Sequence, residues 1–251
     1  MRHATENEQY AARIGMVSVV LLPGMDGGGA LFAEFIEALG SEFAPIVVSY
    51  PCDVPLDYAG LVEFVRARLP PQLPYVLLAE SFSGPVAIAL AASKPAGLLG
   101  LVLCCSFARN PRPVLRALRA LSVFIPITRK LTGLLGPILF GRFDCARLRD
   151  ALRSALDPIS APVLRARLDA VYGLDYSALL PRIDVPVLYL QAAQDRVVPA
   201  SAARHIRATV PVVRVLTFDG PHLLLQAVPV EAAEHVHAFV FDEVLADRFT
   251  A

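Results

Sequence analysis

Three residue types at three distant places in this chain make up a set that can do covalent chemistry: a serine, an aspartate and a histidine, each following a run of β-forming residues. Ser81 lies in Tyr75-Val76-Leu77-Leu78-Ala79-Glu80-Ser81-Phe82-Ser83-Gly84, where an apolar run gives way to a helical stretch at 85–92. A serine at such a strand-to-helix turn has its hydroxyl lifted above the sheet, provided that the residues two before and two after are small. Ala79 and Ser83 meet that need. A hydroxyl is a poor nucleophile until a neighbouring base takes its proton, and the base needs an acceptor that holds its tautomer and offsets its charge. Asp195, in Gln194-Asp195-Arg196-Val197-Val198-Pro199, and His222, in Asp219-Gly220-Pro221-His222, follow later apolar runs and supply those two types.

Each has a rival reading. Ser81 in the first turn of a helix also suits an N-cap. Ser83 is the poorer nucleophile, because Pro85 takes its second small position. Asp195 is placed to cap a helix over 200–208, and Asp169, Asp184 and Asp219 are other available carboxylates. His205 falls on that helix between arginines, His235 and His237 lie two apart on a C-terminal helix, and His3 belongs to a polar terminus. These four read as surface, packing or loose terminal residues.

Short Val/Leu/Ile-rich runs at 16–22, 45–50, 75–79, 99–105, 186–191 and 212–218 must position these side chains, with longer Ala/Leu/Arg stretches of helical spacing between them. The runs are continuous rather than alternating, as strands covered on both faces by helices should be. Strand alternating with helix predicts an α/β fold, a mostly parallel, doubly wound sheet of about six to seven strands. Residues 106–185 are too many for one crossover. Helical stretches at 114–123, 146–156 and 161–172, broken by prolines, predict a small helical cap at 107–180, inserted after the fourth strand of a single domain covering 1–251. Extra packing helices on the rim are the alternative. The apolar residues Phe124, Ile125, Leu134, Leu135, Ile138, Leu139 and Phe140 either line a hydrophobic acyl pocket or form the cap's own core.

The Ser81 turn resembles the nucleophile elbow of the α/β-hydrolase superfamily, usually written G-x-S-x-G, with Ala79 and Ser83 replacing both glycines. D-R-V-V-P at 195–199 resembles the acid loop of that superfamily and G-P-H at 220–222 its histidine loop, in its chain order of serine, acid, histidine. The resemblance runs from about residue 16 to the C-terminal helix and is to the esterase, lipase and thioesterase-like branch. It implies Ser81 as nucleophile, His222 as its base and Asp195 as the residue that orients the base. It also implies two backbone donors for a tetrahedral oxyanion, the N–H of Phe82 and that of Met25. Met25 follows Gly24 in Leu22-Pro23-Gly24-Met25-Asp26-Gly27-Gly28-Gly29, where Pro23 departs from the usual histidine.

Gly24, Leu139 and Phe140 are the expected substrate contacts. The glycine run lacks the spaced lysine and Ser/Thr of a P-loop, and no third glycine completes G-x-G-x-x-G after Gly27 and Gly29. The implied function is a serine hydrolase cleaving carboxylic esters of hydrophobic acyl groups through an acyl-enzyme. Acyltransferase or thioesterase chemistry on the same three residues, and a low-turnover receptor for a small apolar molecule, are the alternatives.

Hydrophobic residues make up 55% of the 251, against 18% charged, which excludes a disordered chain. Twenty-three basic residues balance twenty-three acidic ones, so no net field favours nucleic acid or an anionic membrane. Cys52, Cys104, Cys105 and Cys145 show neither a CxxC pair nor a metal-ligand spacing. They are expected as small buried thiols in a reducing compartment, with Cys104 and Cys105 on opposite faces of a strand. No metal or organic cofactor is expected. Arg129 and Lys130 split the longest apolar stretch, at 121–140, below the roughly 18 residues of a membrane span. Glu6, Asn7 and Glu8 precede the first apolar run, unlike a signal peptide. The expectation is a cytoplasmic enzyme acting on a small ester, without nucleic acid or membrane span, its oligomeric state open.

Overall fold

The computed structural model describes residues 17–71, 73–113 and 136–246. Strand and helix alternate as β1 (Val17–Leu22), α1 (Ala33–Leu39), β2 (Phe43–Val47), α2 (Tyr58–Arg66), β3 (Tyr75–Glu80), α3 (Gly84–Ala92) and β4 (Leu98–Cys104). Two inserted helices follow, α4 (Ala146–Leu156) and α5 (Ala161–Tyr172). The chain then returns through β5 (Val187–Ala192), α6 (Ala200–Thr209), β6 (Val213–Phe218), α7 (Leu224–Ala227) and α8 (Pro229–Ala238).

The strands form one sheet in the order β2-β1-β3-β4-β5-β6, and every neighbouring pair is parallel. Parallel strands place all their carboxyl ends on one edge, and the order reverses between β1 and β3. That reversal is where open α/β sheets bind ligands, because the loops leaving the two strands turn away from each other.

Side-chain alternation sorts the core into two layers. Tyr75, Leu77 and Ala79 of β3 pack with Leu61 and Val65 of α2, Val86 and Leu90 of α3 and Ile206 of α6. Val76 and Leu78 pack on the other face with Phe35 of α1, Leu224 and Leu225 of α7 and Val236 of α8. Strands β1, β3 and β4 are buried throughout, which is why their sequences run apolar without a break. The edge strands β2 and β6 are only partly covered.

Most expected elements stand within a residue or two of their predicted bounds. The second strand differs, starting at Phe43 and ending at Val47. Pro45 lies inside it opposite Val19 rather than at its start, a position proline tolerates because β2 is an edge. Cys104 and Cys105 pack in the same cluster instead of on opposite faces, because β4 ends at Cys104 and Cys105 takes a left-handed φ of +48°. Cys52 is exposed and Cys145 half-buried, so burial holds for Cys104 and Cys105 alone.

Ser160 caps α5, its hydroxyl accepting from the N–H of Val163 at 3.4 Å. The predicted helix at 114–123, together with Phe124, Ile125, Leu134, Leu135, His3, Met16, Arg129 and Lys130, lies outside the described residues. Among the described residues no helix is long and apolar enough to cross a membrane.

Candidate active site

Ser81 follows β3 directly, with a φ of +48°. A non-glycine residue persists in that region only when its surroundings hold it there. The holding contact comes from the loop after β4, where the Ser106 hydroxyl donates to the Ser81 carbonyl at 2.6 Å. Ser106 is itself fixed by Tyr189 of β5, whose hydroxyl donates to the Ser106 carbonyl at 2.6 Å and accepts from its N–H at 3.1 Å.

Gly84 permits this approach. A Cβ on it would stand 1.7 Å from the Ser106 hydroxyl oxygen, although its φ of −55° is ordinary helical backbone. The demand for a small residue therefore falls on Gly84. Ser83 instead donates its hydroxyl to the Pro23 carbonyl and pairs with the Tyr50 hydroxyl at 2.6 Å, tying the turn to the loop after β1.

The structure brings Ser81, His222 and Asp195 together. The Ser81 hydroxyl oxygen lies 2.8 Å from His222 Nε2, and His222 Nδ1 lies 2.8 Å from Asp195 Oδ2. The His222 and Asp195 side chains are 4% and 5% exposed. With Nδ1–H donating to the carboxylate, Nε2 is left to accept the Ser81 hydroxyl. Ser81 thus directs its side chain to the histidine and caps no helix. Asp195 pairs with the histidine and does not cap the following helix, whose N-cap is Pro199 with no side-chain cap bond; its second oxygen instead closes its own loop by accepting the N–H groups of Val197 and Val198, each at 2.8 Å. The acid and histidine loops are tied by Ala193 N–H to the Phe218 carbonyl at 2.8 Å and Gln194 N–H to that of Gly220 at 3.0 Å.

The rival residues are engaged elsewhere. Asp184 pairs with Lys94 at 2.6 Å, and Asp219 pairs with Arg142 and accepts from Gln194 at 2.6 Å. His235 packs edge-on to Phe218, and His237 bonds Glu42 at 2.6 Å. His205 makes a second serine–histidine contact, with Ser177 at 2.8 Å. It is half-buried, and burial lowers its pKa below the usual imidazole range, with the Arg109 charge adding to this. The Asp175 carboxylate beside it accepts the N–H of Ser177.

Leu22 of β1 and Ala79 of β3 are register partners, so Met25 and Phe82, each three residues on, emerge together at the reversal of strand order. Phe82 stacks on Tyr58 with ring centroids 5.0 Å apart, and its carbonyl accepts the Tyr58 hydroxyl at 3.1 Å. Met25 lies in a turn closed by Gly27 N–H to the Gly24 carbonyl at 3.0 Å.

Residues 19–235 match the model of the alpha/beta hydrolase family. The chain belongs to that family. Similar solved structures include an enol-lactonase from Burkholderia xenovorans LB400, with TM-score 0.73 and 18% identity, covering 91% of both chains. An esterase from Exiguobacterium antarcticum has TM-score 0.78 and 17% identity over 90% of this chain and 92% of its own. A thermophilic esterase from Thermogutta terrifontis has TM-score 0.72 and 22% identity over 90% of both. These likenesses show a shared fold. No curated protein matches the chain in sequence.

Within this alpha/beta hydrolase frame, several buried polar residues near the site escaped sequence reasoning. Arg167 of α5 is 3% exposed and donates to the Met25 carbonyl at 2.8 Å and the Pro51 carbonyl at 3.0 Å. A Cβ on Gly27, whose φ is +66°, would stand 2.5 Å from this guanidinium, so that glycine makes room for the arginine. Burial pushes the Asp26 carboxyl up to about 6, against the N–H of Gly28 at 2.9 Å and the Arg167 charge. Burial and then the Asp26 charge push Glu80 up to about 8. The residue types carried no signal: Arg167 is one of two arginines on its helix, and acidic side chains are usually solvated.

Phe140 is fully buried in a satellite cluster that joins Leu148 and Leu152 of the insert to Leu31 and Leu223 of the main domain, so it packs the insert onto the sheet edge rather than forming a core of the cap alone. Leu139 lies at its edge, its carbonyl accepting the N–H of Leu223, next to His222, at 3.2 Å. Gly24 lies above the Asp26 and Glu80 carboxyls, 3.3 and 3.8 Å from where its Cβ would be. A separate cleft of about 350 Å³ lies between the loop after β4 and α6, lined by Phe107, Asn110, Pro113, Ser201 and His205 among others, and by none of the predicted site residues. Cys105, Asp195 and His222 place potential ligand atoms within 4.8 Å of one another. The two oxygens of Asp195 and Nδ1 of His222 are already hydrogen-bonded, and burial pushes the Cys105 thiol up, an arrangement suited to proton handling rather than to a thiolate metal site.

Proposed function

We propose that this chain is a serine hydrolase cleaving carboxylic esters of hydrophobic acyl groups, with Ser81 as nucleophile, His222 as base and Asp195 as the residue that orients it. The observation that carries the reading is the continuous chain of two 2.8 Å contacts from the Ser81 hydroxyl through the imidazole to the carboxylate. Ser81 attacks the acyl carbonyl while His222 Nε2 takes its proton, and Asp195 holds the imidazolium that forms. The negative charge on the carbonyl oxygen faces the N–H groups of Met25 and Phe82. His222 returns the proton to the departing alcohol, then takes one from water, which releases the acid from Ser81.

The apolar acyl preference is supported by the insert, where Ile138 is 44% exposed and Leu139 half-buried beside the histidine loop. A p-nitrophenyl ester series graded by chain length, with labelling by a fluorophosphonate, tests the reading. Ser81→Ala should lose the label and lower kcat on the order of 10³-fold or more with the fold intact. Retained turnover would remove Ser81 from the mechanism. Labelling with negligible turnover would favour a receptor, and product diverted to an added alcohol would favour acyl transfer.

A further inference from the structure

Glu80 immediately precedes Ser81, and its side chain points to the face of the sheet covered by α1, α7 and α8, where it is 1% exposed. Gln226 of α7, four residues after His222, donates from Nε2 to Glu80 Oε2 at 3.3 Å and to the Leu31 carbonyl at 3.3 Å. The Leu31 carbonyl fixes which way the carboxamide faces, because only its nitrogen can serve an acceptor there. Two oxygens are then left buried without a partner, Glu80 Oε1 and Gln226 Oε1. Two acceptors cannot satisfy each other, and leaving both unpaired is costly. A proton on Glu80 removes the conflict, since it turns one orphan into a donor for the other.

The surroundings favour that proton. Asp26 approaches from the loop after β1, on the same side of Gly24 as Glu80. Its Oδ2 accepts from Gly28, and neither of its oxygens is orphaned. Cys104 at the end of β4 and Cys105 just after it also lie nearby, and burial pushes both thiols up, so they bring no countercharge. Arg167 is the nearby cation, and its hydrogen bonds go to the Met25 and Pro51 carbonyls.

We infer that Glu80 is a positioning residue held as a neutral carboxylic acid, its O–H donated to the Gln226 carboxamide. This acid–amide pair locks together the Ser81 turn, the loop carrying Met25 and the segment after His222. The role rests on the hydrolase reading above. Below the pH at which Asp26 ionises, both carboxyls are protonated. Above it, the Asp26 charge keeps the second proton on Glu80, and loss of that proton breaks the pair.

The test compares wild type, Glu80→Gln and Glu80→Ala by rate of fluorophosphonate labelling and by kcat and KM across pH. Wild-type kcat should fall with rising pH, with a midpoint where Glu80 titrates, at about 8. Glu80→Gln, which keeps a neutral donor, should hold kcat within about threefold of wild type near pH 7 and lack that decline. Glu80→Ala should lower kcat about tenfold or more at every pH with a smaller change in KM. Infrared difference spectra should show a protonated-carboxyl carbonyl band in wild type near pH 7 that is missing in Glu80→Gln, a readout that needs neither activity nor the alanine variant. The inference is overturned if the alkaline decline persists in Glu80→Gln or if that band is absent from wild type. Failure to label Ser81 in any form, with the band present, would instead sink the hydrolase reading and leave the state of Glu80 standing.

Discussion

Arg167 donates from Nη1 to the carbonyl oxygen of Met25 at 2.8 Å, reaching from an inserted helix to the loop at the reversal of strand order. Its other nitrogen binds the Pro51 carbonyl, so one guanidinium ties the insert to two loops of the sheet edge. Arg167→Met leaves two part-buried carbonyls without their donor and should cost about 1 to 3 kcal/mol in denaturant unfolding. It should also lower kcat more than it raises KM, since the Met25 loop loses its support. Arg167→Lys, a single point donor, should recover only part of both. Unchanged kcat in Arg167→Met would show that the loop holds itself.

Asp195→Asn keeps an acceptor for the N–H groups of Val197 and Val198, so the fold should survive with near-normal melting. The amide can donate to Nδ1 and so favours the wrong histidine tautomer, and kcat should drop on the order of 10³ to 10⁴-fold. A drop under tenfold would mean that the imidazole is oriented by something other than this carboxylate.

Gly84→Ala places a Cβ 1.7 Å from the Ser106 hydroxyl oxygen, and overpacking of this kind costs about 1 to 3 kcal/mol. The displaced Ser106 loses its bond to the Ser81 carbonyl, so labelling at Ser81 should slow as well. Adding Ser106→Gly removes the clashing group. A double-mutant cycle should therefore show favourable coupling on the order of 1 kcal/mol or more. Strict additivity would separate the two positions.

The stability contributed by the buried Asp26 and Glu80 carboxyls should fall as pH rises from acid toward 8. Burial raises Asp26 from 3.8 to about 6 and Glu80 from 4.5 to about 8 in the folded chain. Between each unfolded and folded value the folded state holds a proton that the unfolded state has lost, so stability declines with pH at about 1.4 kcal/mol per unit for each such group. Both act below 6, and Glu80 alone of this pair between about 6 and 8. Melting temperature measured from about pH 6 to 8 should drop in wild type and flatten in Glu80→Gln. An equal slope in the two would show that Glu80 titrates normally.

The sheet was legible because β1, β3 and β4 are buried on both faces, which leaves an unbroken apolar run in the sequence. The edge strand β2 was misplaced for the converse reason, since a half-covered strand tolerates Pro45 and carries a weak pattern. Ser81, Asp195 and His222 could be named because each sits just past a strand end, and parallel strands bring their carboxyl ends to one edge.

By itself the sequence determined the alternation of strand and helix, hence the parallel sheet, and the three loops in which a serine, an acid and a histidine had to lie. Tertiary structure alone decided that Gly84 is the small residue the turn requires, and that Arg167, Asp26, Glu80 and Gln226 are buried around it. The physical reason is range. Apolar periodicity is written along neighbouring residues, whereas the burial and pairing of a charge depend on groups as far apart as Met25 and Arg167, or Glu80 and Gln226, which only the folded chain brings together.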